Sequence, residues 1–169
     1  MRWKNPWFWL VAALAIAIDR LTKFWAASQL LTGESVPLLP NILHLTLTKN
    51  SGAAFSLFAG GSDWLKWISL IVSVALLIYG LVGPRFGIWE QIGFGLLLGG
   101  AIGNGFDRFA FGEVTDFLEF RFIQFPVFNG ADIAINLGLA CLLIGTFLSE
   151  QRSKSNLSPQ PRPPQGEGE

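Results

Sequence analysis

Trp64-Leu-Lys-Trp-Ile-Ser-Leu-Ile-Val-Ser-Val-Ala-Leu-Leu-Ile-Tyr-Gly-Leu-Val82 carries one charged side chain, Lys66, and is closed by Gly83-Pro84-Arg85. A hydrocarbon core of about 30 Å needs roughly 20 mostly apolar helical residues to cross it. The stretch therefore reads as a transmembrane helix. The next apolar run, Ile88 to Phe106, starts after a very short connection, so the two helices form an antiparallel hairpin. Working outward, a first run covers Trp7 to Ala27 and a fourth covers Ala131 to Leu148. The expectation is an all-α membrane protein with four transmembrane helices.

The rest of the 169-residue chain agrees with that reading. It is 51% hydrophobic and only 14% charged, with a mean hydropathy of +0.45. Soluble domains carry about 25% charged residues. Formal net charge is zero, which gives no electrostatic footprint for nucleic acid. The single cysteine, Cys141, lies in an apolar run and reads as a small packed residue. Residues 1–150 form one expected membrane domain. Residues 151–169 are polar and Pro-rich, and are expected to be a disordered tail.

Lys and Arg near span ends set orientation. Arg2, Lys4, Arg85, Arg152 and Lys154 fall on one side of a four-span arrangement, which makes both termini cytoplasmic. The other side holds the two long connections, with Lys49, Lys66, Arg108 and Arg121. A rival reading takes Trp7 to Ile18 as the core of a cleaved signal peptide, with Ala13-Leu14-Ala15 as its processing site. It would discard Asp19 and Lys23.

The long connections carry strand signals. Leu43, Leu45 and Leu47 alternate with His44, Thr46 and Thr48, and Val114, Leu118 and Phe120 share a parity against Thr115, Glu119 and Arg121. A small β element on the outer ends of the helices is expected. His44 falls on the polar parity and reads as a surface residue. In the third span, Gly95, Gly99 and Gly103 have the small-xxx-small spacing that lets membrane helices approach closely. No G-x-G-x-x-G follows a strand, which removes a dinucleotide site.

Ionisable groups at membrane depth need a reason. Asp19 and Lys23 are spaced i, i+4, as an intrahelical ion pair requires. Asp116 lies on the apolar parity of its strand, where a carboxylate is costly unless paired or protonated. Bonding to backbone or to Arg108 is one way to satisfy it. Asp132 falls at the third position of the fourth helix if Asn129 is its N-cap, a placement that capping alone explains. The hairpin of spans three and four nevertheless returns Asp116 toward the start of the fourth helix. Two adjacent carboxylates share a proton, and such a pair hydrolyses amides by general acid–base action on water. One histidine and one cysteine are too few for a Ser-His-Asp triad with a G-x-S-x-G elbow, a Cys-His pair or a zinc site. A small transporter using these acids as an ion path, and a non-enzymatic membrane adaptor, stay open on the residues alone.

Five motifs in order then carry a resemblance: Asp19-Arg-Leu-Thr-Lys23, Lys49-Asn-Ser-Gly-Ala-Ala-Phe-Ser56, Gly99-Gly-Ala-Ile-Gly-Asn-Gly-Phe-Asp-Arg108, Val114-Thr-Asp-Phe117 and Phe125-Pro-Val-Phe-Asn-Gly-Ala-Asp132. With them the chain resembles the lipoprotein signal peptidases, or signal peptidases II, over roughly Asp19 to Leu139. The resemblance implies four membrane helices with an extracytoplasmic β cradle in a bacterial inner membrane. It implies cleavage of prolipoproteins before a diacylglyceryl-modified cysteine, with Asp116 and Asp132 catalytic. Asp19, Lys23, Asn50, Asn104, Arg108 and Asn129 are implied to support the site or contact substrate. No cofactor or metal is implied. The expected partners are the lipid-modified precursor and membrane lipids, with the enzyme a monomer.

Overall fold

The computed structural model describes residues 4–52 and 63–157. Its elements are α1 (Pro6–Gln29), β1 (Ser35–Leu39), β2 (Leu43–Asn50), α2 (Asp63–Val82), α3 (Ile88–Phe111), β3 (Val114–Phe120) and α4 (Gly130–Leu157). Arg2, Ala53–Ser56 of the second motif and the Pro-rich segment 158–169 lie outside the described residues. Residues 151–157 continue α4 as helix.

Two helices, Trp64–Val82 and Gly130–Lys154, are long and apolar enough to cross a membrane by length and composition. The other two expected spans do not meet that measure. α1 holds Asp19, Arg20 and Lys23, and α3 holds Glu90, Asp107 and Arg108. Both are nonetheless 24 residues long, about 36 Å at 1.5 Å per residue.

α3 lies at the centre, packed on α1, α2 and α4. Glycine makes this possible. A Cβ on Gly99 would lie 2.4 Å from the Cβ of Ala15 in α1, and one on Gly100 would lie 2.6 Å from the Ala131 carbonyl oxygen in α4. The glycine stripe 95–99–103 faces α1, and Gly93 and Gly100 face α4. At the end away from the sheet, buried Asn5 donates to the Pro84 carbonyl at 3.1 Å and accepts from the Phe86 amide at 3.0 Å. The start of α1 is thereby tied to the α2–α3 turn.

α3 runs five residues beyond Phe106, so Asp107 and Arg108 are helical and do not open the connection as expected. The helix stops at Gly112, whose φ of 77° is the left-handed conformation that glycine adopts without strain. The three strands form one antiparallel sheet in the order β1-β2-β3. β1 was not expected; Pro37 inside it is tolerated because β1 is an edge strand. The expected parity also fails in part. Leu45 pairs with Leu118 and Thr48 with Asp116, so β2 advances three residues while β3 advances two. This bulge switches the face of every later β2 residue. It turns Leu47 inward onto Ala26 and Phe117, and carries Asn50 to the face of Asp116. Val114 to Phe117 are all buried, including Thr115 of the expected polar parity.

Candidate active site

β3 packs on α1 and α3 and brings Asp116, 2% exposed, beside the start of α4. Asn129 caps α4: its Oδ1 accepts from the Asp132 amide and its own amide donates to Asp132 Oδ2, both at 3.1 Å. This reciprocal cap satisfies two helix-end donors and locks the Asn129 side chain. Its Nδ2 then donates to Asp116 Oδ1 at 2.6 Å and to Asn104 Oδ1 at 3.1 Å. One asparagine thus bonds both carboxylates.

The remaining oxygens are held by other amides. Asn50 Nδ2 donates to Asp116 Oδ2 at 3.0 Å, and Asn104 Nδ2 donates to Asp132 Oδ1 at 2.8 Å. Lys23 Nζ donates to Asn104 Oδ1 at 2.8 Å. An ammonium only donates, so Lys23 fixes which end of the Asn104 amide faces Asp132. Arg108 does not bond Asp116. Its guanidinium donates to the Asn104 carbonyl at 3.4 Å while lining the same cavity.

Burial pushes the Asp116 carboxyl up to about 6, and the nearby charge of Asp132 adds to the shift; the Asn50 and Asn129 amides oppose it. Three of the four carboxylate oxygens are met by side-chain amides and the fourth by a backbone amide. All four donors are uncharged. Both acids line a cavity of about 390 Å³ whose walls include Phe120, Phe125, Phe128, Ile133 and Leu137. An adjoining cavity of about 640 Å³ shares Asn50 and Asp116 and is bordered by Gln124 to Val127.

Behind the pair lies an ion cluster. Asp19 bonds Lys23 at 3.1 Å and Arg20 at 3.0 Å, so the expected i, i+4 pair is present. Asp107 bonds Arg20 at 2.6 Å and Lys23 at 3.1 Å. Asp19 also accepts from the Ala131 amide at 3.0 Å, and Asp107 from the Thr115 amide at 3.2 Å. The cluster therefore fixes the backbone next to both carboxylates of the pair. Gly103 leaves the room it needs, since a Cβ there would lie 2.5 Å from Asp19 Oδ2. Arg20 and Asp107 were not among the expected site residues. Arg20, a charge inside the apolar run Trp7 to Ala27, offered a signal, whereas Asp107 lies just past the run ending at Phe106 and offered none. No group of three or more His, Cys, Asp or Glu arranged to hold a metal occurs among the described residues.

The fold aligns with solved bacterial membrane enzymes. A bacterial membrane enzyme determined by the in meso method at 2.3 Å aligns with a TM-score of 0.76 and 28% identity over 91% of this chain and 93% of its own. Residues 11–148 match the family described as signal peptidase (SPase) II, and the chain belongs to that family. It is similar to the lipoprotein signal peptidase of Gloeobacter violaceus, 76% identical over 92% of this chain and 90% of the relative. It is similar also to that of Thermosynechococcus vestitus, 59% identical over 83% and 90%. The protein is accordingly a peptidase of a bacterial membrane, which sets aside the transporter and adaptor readings.

Proposed function

We propose that the chain removes the signal peptide from diacylglyceryl-modified prolipoproteins, cleaving before the lipidated cysteine with Asp116 and Asp132 acting on one water. The observation that carries this is the wiring of both buried carboxylates to Asn129 with only uncharged donors around them. Two like charges so placed do not both ionise readily, and the pair keeps a proton. The ionised carboxylate takes a proton from water as its oxygen attacks the scissile carbonyl. The protonated carboxyl donates to the carbonyl oxygen, giving a tetrahedral diol. Collapse of the diol breaks the C–N bond: a diol hydroxyl returns its proton to one carboxylate as the leaving nitrogen takes a proton from the other. The proton states belong to the pair and not to one residue.

Asn50, Asn104 and Asn129 hold the carboxylates without neutralising them, Arg108 faces the substrate cavity, and Asp19 and Lys23 fix the framework. The aromatic and aliphatic cavity wall suits the lipid-modified segment. Four spans are supported by the apolar rows that α1 and α4 expose, Leu10, Leu14, Ile18 and Leu21 in one and Leu143 and Phe147 in the other. The placement of Lys4, Arg85, Arg152 and Lys154 at the end opposite the acids supports cytoplasmic termini and an extracytoplasmic site. The enzyme acts as a monomer in this reading, and the segment after α4 is a cytoplasmic tail.

The test is cleavage of a diacylglyceryl-modified precursor peptide by the purified enzyme, with the unmodified peptide as control. Cleavage of only the modified peptide, lost in Asp116→Asn and in Asp132→Asn, is expected. Equal cleavage of both peptides, or retained activity in either variant, contradicts the reading.

A further inference from the structure

The opposite face of β3 from the acid pair closes a separate cavity of about 440 Å³ between α1, α3 and the sheet. Neither Asp116 nor Asp132 lines it. One end is polar, formed by Arg20, Lys49 and the Thr115 hydroxyl; the wall is Phe24, Phe106 and Phe111. Arg20 lies 4.9 Å from the centre of the Phe106 ring, and the Lys49 ammonium 6.0 Å from that of Phe111.

Charge is unbalanced here in one direction. Arg20 and Lys23 are matched by Asp19 and Asp107. Asp107 also borders the cavity, but Arg20 occupies one of its oxygens and Lys23 and the Thr115 amide the other. Lys49 has no carboxylate partner among the described residues. It donates to Thr115 Oγ1 at 3.0 Å and stays exposed, with further N–H groups to give. The apolar side is open: Phe24 is 75% exposed and Phe111 62%. A soluble anion gains nothing from those rings. A phosphodiester with acyl chains uses both ends, and an excess cation selects one of net negative charge.

We propose that this cavity binds one anionic phospholipid of the outer leaflet, its phosphodiester on Lys49 and Thr115 and its acyl chains along Phe24 and Phe111. This rests on the reading that α1 and α3 span the bilayer with the sheet at the outer face. It does not involve the peptidase chemistry. The site gives the β sheet a lipid anchor through the strand that carries Asp116.

Native mass spectrometry of the full chain in detergent tests it, titrating phosphatidylglycerol or phosphatidylcholine of identical acyl chains without substrate. One phosphatidylglycerol should bind about five-fold more tightly than phosphatidylcholine, the preference expected of one uncompensated interfacial cation. Lys49→Gln should abolish the preference and Lys49→Arg should keep it. Glycerol phosphate, which lacks chains, should not displace the lipid. Equal binding of the two lipids by the wild type overturns the proposal, even if Lys49→Gln does not fold. An unchanged preference in Lys49→Gln, or displacement by glycerol phosphate, overturns it as well. Cleavage is measured separately in zwitterionic detergent, so loss of either result leaves the other readable.

Discussion

Two clusters of buried acids stand back to back at the same end of the helices and are satisfied in opposite ways. Asp19 and Asp107 are met by Arg20 and Lys23, acid for base, with the free positions taken by backbone amides. Asp116 and Asp132 are met by Asn50, Asn104, Asn129 and a backbone N–H. The difference is one of neutralisation. The first cluster meets its carboxylates with fixed positive charge. Burial, with the nearby charge of Asp132, pushes Asp116 up against the opposing pull of its amide donors, so it keeps a proton. The two clusters touch through a single amide, Asn104, which accepts from Lys23 and donates to Asp132. The charged cluster is thus the frame and the uncharged one the reactive pair.

The contrast predicts graded effects. Removing either member of the pair should end the chemistry without unfolding the protein. Asp116→Asn, Asp132→Asn and the double variant should each lower the cleavage rate by about a thousandfold, the double no worse than the singles, because the residues act as a unit. Multiplying losses in steady-state kinetics would break the account. In the frame the cost should fall on folding. Asp107→Asn leaves Arg20 and Lys23 short of a counter-charge and should cost about 3 kcal/mol of stability, read by thermal unfolding in detergent. Cleavage per folded molecule should fall less than tenfold. A thousandfold loss at unchanged stability would erase the distinction between the clusters.

Proton linkage gives a smaller effect. Between the ordinary 3.8 and about 6, folded Asp116 retains a proton that the unfolded chain has released. Stability should therefore fall as pH rises through that window and level off above about 6. The change should be on the order of 3 kcal/mol, and Asp116→Asn should remove this contribution. The smallest effect is expected at Asn50. Asn50→Ala removes one donor from Asp116, a loss of about 1 kcal/mol. The carboxyl should then titrate higher than in the wild type, as nuclear magnetic resonance of labelled aspartate would show; a lower value would contradict the assigned hydrogen bond.

Much of this contrast was legible in the sequence, and unevenly. Asp116 stood out because strand parity put a carboxylate on the apolar face, and Asp132 because the hairpin of the third and fourth spans returns Asp116 toward the start of the fourth helix. Asp19 and Lys23 followed from helical spacing. Arg20, beside Asp19 in the first run, carries no spacing signal of its own, and Asp107 falls in the connection when α3 is read as ending at Phe106. Only the left-handed Gly112 shows that it continues through Asp107 and Arg108. Asn50 entered only through resemblance to the family. Plain alternation sends it to the face away from Asp116, and the bulge between Leu45 and Thr48 brings it back. A bulge is one extra residue in a ladder, and the periodic pattern carries no mark of it. The helices that cross bilayers by composition alone are the two without a buried ion cluster, since the charges that build the site lower the apolarity of the others.

The most direct test of the shared proton is infrared difference spectroscopy of the enzyme with isotope-labelled aspartate, between pH 4 and pH 8. A protonated-carboxyl band should persist above pH 5, disappear with a midpoint near 6, and be altered by Asp116→Asn and by Asp132→Asn alike. Complete ionisation of every aspartate by pH 5, or a band that ignores both substitutions, would contradict it.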